Sequence, residues 1–146
     1  VIAYFDTSAL VKAYIAEDGS SDVLALLNLP DLQPGSLLLL EAEMAAALGK
    51  AARLFRLEQD TLAHAWEGFL RDWEAFARIE VSESLVRRAA QLALEQPLRG
   101  YDSLHLAAAL TWQEYIGESL TIATFDRELW QAARVLGVRP WPEGLG

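Results

Sequence analysis

Two short apolar runs constrain this chain most. VIAYF at residues 1–5 and LTIATF at residues 120–125 each end directly in an aspartate, Asp6 and Asp126. Runs of this length, bounded by polar residues and followed by helix-like patterns, read as strands buried on both faces, the habit of parallel sheets. A parallel sheet binds ligands in the crevice outside the carboxyl ends of its strands. Two more acids lie beside apolar runs, Glu43 in LLLLEAEMAAAL and Asp102 in GYDSLHLAAAL. An unpaired carboxylate is costly to desolvate in such surroundings. Carboxylates gathered in one crevice repel unless a cation neutralises them, and Mg2+ or Mn2+ suits an all-oxygen set of ligands. Asp6, Glu43, Asp102 and Asp126 are therefore the candidate metal ligands.

The remaining elements alternate between the two periods. Asp6-Thr7-Ser8 offers capping side chains for a helix over Ala9 to about Ala16, and Ser20 or Ser21 caps a second through Leu27. Pro30 and Pro34-Gly35 read as a connection. Residues 37–57 look helical, although Leu37 to Leu40 alone also fits a strand. Residues 59–77 carry one apolar stripe at helical spacing, Leu62, Trp66, Phe69, Trp73 and Phe76. A weak strand follows at 78–81, then a helix from Ser82 or Ser84 to before Pro97. A nearly all-apolar helix spans Tyr101 to about Trp112, a strand Leu120 to Ala123, a helix Arg127 to Leu136, and an edge strand Val138 to Trp141. Strands alternating with helices predict an α/β fold with a parallel sheet covered on both faces.

With 146 residues the chain is expected to form a single domain, residues 1–146 with a core over about 1–141. It has no cysteine, which removes disulfides and thiolate metal sites and suits a reducing cytoplasm. No apolar run approaches the roughly 20 residues that span a bilayer, and the first residues read as strand, so neither a membrane segment nor a signal peptide is expected. The formal charge of −9 disfavours broad nucleic-acid binding. Any nucleic-acid contact is left to local cations near the acids, Lys12, Lys50, Arg53, Arg99 and Arg127.

Each candidate has a plainer reading beside it. Asp6 and Asp126 also fit helix caps, though Thr7 and Ser8 offer the first cap equally well. Glu43 competes with Glu41, two residues away and on a different helical face, so only one of them enters the site. Asp102 also suits a helix start on macrodipole grounds, an effect of under about 1 kcal/mol. His105, three residues on, is expected to be a satisfied core histidine or a support for a ligand, because hard Mg2+ prefers oxygen. Ser8 and Thr124, each two residues from a site aspartate, are candidates to orient carboxylates or metal-bound waters.

The segments DTSALVK from Asp6, E-x-x-x-A-L from Glu43 to Leu48, DSLHLAAAL from Asp102 and TFDREL from Thr124 to Leu129 together resemble the PIN domain, and within it the VapC-type toxins. The resemblance keeps the family's order from residue 4 to about Gly137. It favours Glu43 over Glu41 and implies a sheet of four or five parallel strands with about seven helices. It further implies a Mg2+- or Mn2+-dependent endoribonuclease in which Asp6, Glu43, Asp102 and Asp126 hold one or two ions. A cognate antitoxin whose peptide enters the groove, and a homodimer, are implied on the same ground. The aromatic stripe over residues 59–77, if not wholly covered, would be where such a peptide docks. Two other readings compete. A receiver-like acidic pocket lacks the Lys expected at a late strand end, and an idle PIN-type interaction module has no reason to keep all four acids.

Overall fold

A computed structural model describes residues 1–146. Five strands form one parallel sheet in the order β3-β2-β1-β4-β5: β1 Ile2–Phe5, β2 Gln33–Leu37, β3 Ala77–Ile79, β4 Thr121–Ala123 and β5 Arg139–Trp141. Seven α-helices surround it: α1 Thr7–Leu10, α2 Ser20–Leu27, α3 Leu40–Leu54, α4 Gln59–Trp73, α5 Glu83–Glu95, α6 Gly100–Ile116 and α7 Arg127–Val135, with a 3-10 turn at Val11–Ala13. The expected α/β class, parallel sheet and helix number are borne out. No helix is long and apolar enough to cross a membrane.

β1 is the centre, and Ala3, Tyr4 and Phe5 have no exposed surface. The chain builds outward from β1 to β2 and β3, then returns to place β4 on its other side. That reversal between β1 and β4 is the topological switch point, where open sheets leave a crevice. Phe5 pairs with Ala123, and Asp6 N–H donates to Ala123 O at 3.1 Å, so the two strands end side by side. One core layer holds Tyr4, Leu106, Leu120 and Leu129 against α5, α6 and α7. The other holds Phe5, Leu10, Leu40, Met44 and Phe69 against α1, α3 and α4.

The connection expected around Pro34-Gly35 is a strand, β2. Gln33 N–H donates to Val1 O, so the amide position of Pro34 faces the other way, where β3 pairs only from Gly35 onward. The missing N–H therefore breaks no ladder bond. Gly35 is needed for contact, because a Cβ there would lie 2.5 Å from the Trp112 ring of α6. Leu37 accordingly belongs to the sheet, and α3 begins at Leu40 rather than 37. The first helix begins at Thr7 with Asp6 as its cap, earlier than expected. Gly117, at φ 70°, closes α6 one turn beyond the expected end.

The aromatic stripe on α4 is buried over most of its length. Phe69, Trp73 and Phe76 are at most 7% exposed and pack on Phe5, Leu40 and Met44, with Phe76 lying just past the helix end. Only Leu62 and Trp66 at its start are half-buried. They line a groove of about 470 Å3 against Ala45, Leu48 and Gly49 of α3.

Candidate active site

Asp6 sits at the end of β1 and is 3% exposed. Its Oδ1 accepts from Ala9 N–H at 2.9 Å, the cap of α1, and from Ser8 Oγ at 2.7 Å. Its Oδ2 accepts from the Thr124 hydroxyl, which arrives from the end of β4. Ser8 and Thr124 are tied in turn: Phe125 N–H donates to Ser8 Oγ at 2.9 Å, and Asp126 N–H donates to Thr124 Oγ1 at 3.0 Å. The sequence placed both hydroxyls beside site aspartates, and the structure brings both onto the same one. Burial raises the Asp6 carboxyl above the usual aspartate range, although nearby His105 and the three donors pull it back.

Asp126 caps α7, its Oδ1 accepting from Leu129 N–H at 3.0 Å. The cap readings of Asp6 and Asp126 are thus real, and each uses only part of a carboxylate's roughly four acceptor positions. The Oδ2 of Asp126 accepts from Arg99 Nη2 at 3.0 Å, and Arg99 Nε reaches Asp102 Oδ2 at 3.3 Å. One guanidinium therefore bridges the two acids. Burial raises the Asp102 carboxyl, neighbouring Asp126 raises it further, and Arg99 opposes both. Arg99 was expected as an RNA contact, yet it faces the acids. Lys12 is engaged too, in an ion pair with Glu17 at 3.2 Å and over the Phe125 ring.

Glu43 is half-buried in the first turn of α3, and Glu41 is exposed. Glu43 Oε1 lies 2.8 Å from His105 Nε2, and His105 Nδ1 lies 2.6 Å from the Tyr4 hydroxyl. His105 is 2% exposed, as expected of a core or supporting histidine. Neither Tyr4 nor the Arg99 bridge was singled out as part of the site from the sequence. The Arg99–Asp102 spacing of three residues was the available signal for the bridge.

No group of three or more His, Asp or Glu side chains converges into a ready metal cage. Each acid is held instead by a protein donor: hydroxyls and an amide on Asp6, an imidazole on Glu43, a guanidinium across Asp102 and Asp126. The donor set still fits a hard divalent ion. It is all oxygen, and the Asp102–Asp126 pair already accommodates a positively charged group.

Comparison with known proteins agrees with this architecture. A profile of the PIN domain matches residues 3–135. The chain is 38% identical over 148 aligned positions to Ribonuclease VapC45 and to Ribonuclease VapC49, each from a strain of Mycobacterium tuberculosis, covering 99% of this chain and 97% of theirs. The fold also matches the crystal structure of VapBC2 from Rickettsia felis, described as bound to a DNA fragment from their promoter, at a TM-score of 0.65 and 16% identity, over 97% of this chain and 100% of that one. The chain belongs to the PIN-domain family, with VapC ribonucleases among its relatives.

Proposed function

We propose that this chain is a divalent-metal-dependent endoribonuclease and the toxin of a toxin–antitoxin pair. What supports the reading is that Asp6 and Asp126 stand at the carboxyl ends of the adjacent central strands β1 and β4, that Arg99 joins Asp126 to Asp102, and that His105 contacts Glu43. These four acids would hold Mg2+ or Mn2+. When bound, such an ion lowers the pKa of a coordinated water and offsets charge on the leaving oxygen of a phosphodiester.

The chain's own part is positioning. Ser8 and Thr124 hold Asp6 in one orientation, and both are anchored by backbone amides of the β4–α7 junction. The site is therefore rigid where β1 and β4 end. Arg99 lies across Asp102 and Asp126 with its side chain 82% exposed, so it can swing away from them without disturbing the core. No serine, tyrosine or histidine nucleophile is required. The kinship to VapC proteins supports an antitoxin as partner and RNA as substrate, and a homodimer remains the expected assembly.

The test is cleavage of a fluorescently labelled RNA by purified chain, with EDTA, Mg2+ or Mn2+. Activity that requires the metal and is lost in Asp6→Asn supports the reading. Cleavage that persists in EDTA, or an Asp6→Asn variant as active as the parent, refutes it. Metal-dependent Mn2+ binding without cleavage of any RNA would favour the idle interaction module.

A further inference from the structure

A hydrogen-bonded chain runs from the core to Glu43. It begins at Tyr4 in the middle of β1, a residue with no exposed surface. The Tyr4 hydroxyl lies 2.6 Å from His105 Nδ1, the two rings meeting edge to face at 5.7 Å. His105 Nε2 then reaches Glu43 Oε1 at 2.8 Å, joining α6 to α3 across 62 residues of sequence. Glu43 Oε2 has no hydrogen-bonding partner in the chain, and the side chain is 21% exposed.

The ends decide the polarity. An ionised carboxylate only accepts, so the Nε2 facing Glu43 must carry hydrogen. Of the two neutral tautomers of His105, only the one with hydrogen on Nε2 makes the contact to Glu43. Its Nδ1 is then a bare acceptor, and the Tyr4 hydroxyl can donate to it.

We propose that His105 is a positioning residue for Glu43: Tyr4 fixes its Nε2–H tautomer, and Nε2–H holds Oε1 so that Oε2 is left for a ligand. This rests on the reading of Glu43 as a metal ligand. The plainer alternative is that His105 merely fills space between β1 and α6. Space filling is served by any side chain of similar bulk. Positioning needs a donor at Nε2, and glutamine places its amide nitrogen close to that point.

The experiment compares Mn2+ affinity, by electron paramagnetic resonance titration, for the parent, Glu43→Gln, His105→Leu, His105→Gln and Tyr4→Phe, each checked for folding by circular dichroism in EDTA. Loss of a group supporting a metal ligand typically weakens binding about ten- to a hundredfold. That loss is expected for His105→Leu, with His105→Gln restored to within a few-fold of the parent and Tyr4→Phe falling between. A folded His105→Leu that binds Mn2+ as the parent does, while Glu43→Gln is weakened, overturns the positioning role and leaves the metal reading intact. A parent that binds no Mn2+ overturns both. Should His105→Leu fail to fold, the imidazole nitrogens decide. With exposed His64 as the only other histidine, long-range proton–nitrogen spectra should show His105 protonated at Nε2 in the parent and a mixture of tautomers in Tyr4→Phe. A proton on Nδ1 in the parent, or no change in Tyr4→Phe, refutes the proposal.

Discussion

Asp6→Asn separates the two roles that Asp6 combines, helix cap and proposed metal ligand. Asparagine caps as well as aspartate, so α1 loses nothing by the exchange. The hydrogen bonds can be followed one by one. The amide oxygen keeps Ala9 N–H and the Ser8 hydroxyl, the donors now on Oδ1. The amide nitrogen then faces Thr124 Oγ1, which already accepts from Asp126 N–H but has a second lone pair for it. The Thr124 proton must turn toward Ser8 Oγ, 3.4 Å away, a poor contact. Against that one weakened bond, worth about 1 kcal/mol, stands relief from a buried charge that the fold disfavours, since burial is the leading influence on Asp6. The two effects oppose, so without metal the variant should melt within about 4 °C of the parent, the equivalent of about 1 kcal/mol at this size. Metal breaks the tie. A ligand at a hundredfold excess over its dissociation constant stabilises by about 2.7 kcal/mol, or about 5–11 °C here. The assay is a melting curve in EDTA and in saturating Mn2+. The parent should rise by that amount and Asp6→Asn should not. A variant that keeps the full rise refutes Asp6 as a ligand. One that melts far below the parent in EDTA refutes the accounting, because it would mean the ionised carboxylate holds the fold together.

Two further outcomes follow from the same site. Glu43→Gln should reduce single-turnover RNA cleavage by at least about tenfold, on the scale of a disturbed metal site, while exposed Glu41→Gln stays within a few-fold; the reverse order would place the wrong glutamate in the site. In EDTA, Asp6 and Asp102 both have folded-state pKa values raised from 3.8, chiefly by burial, so their stabilising contribution is present below the ordinary aspartate value and is lost as pH rises through the raised values. Urea denaturation across that window should show the parent losing stability relative to Asp6→Asn as pH rises, and a parent that gains would contradict the direction.

How much of this was legible depends on whether the signal was local. Asp6 and Asp126 were readable because a buried strand, an acid and a helix follow one another within a few residues. β2 was not, because Pro34 and Gly35 are turn residues by their own chemistry. They become strand residues only through β3 starting one residue late and Trp112 lying over Gly35. The burial of Phe69, Trp73 and Phe76 was hidden for a similar reason. A stripe shows that a helix has an apolar face, and only Phe5 of β1 with Leu40 and Met44 of α3 show that the face is filled. The Tyr4–His105–Glu43 chain lies furthest from view, since its partners come from β1, α6 and α3 and no spacing connects them.

The acidic balance of the chain takes on a different meaning once its ion pairs are known. Of twelve Lys and Arg, five lie in ion pairs with acids: Lys12, Arg78, Arg87, Arg88 and Arg99. Among the remainder, Lys50 is exposed and seven residues after Glu43, which puts it on the same face of α3 about 10 Å along the axis. Arg127 directly follows Asp126 and is also exposed. Free positive charge therefore exists beside the acids, but too little of it to coat a nucleic acid. Arg99 gives one positive charge to Asp102 and Asp126 together, so that pair still carries excess negative charge toward any phosphate. On the proposed reading, a phosphodiester meets net repulsion at the acids until a divalent ion joins them. Asp102 and Asp126 would hold such an ion in place of Arg99, and the guanidinium, on an exposed side chain, would then be free to meet the substrate. On that reading an acidic chain would accept RNA only where a divalent ion offsets its carboxylates.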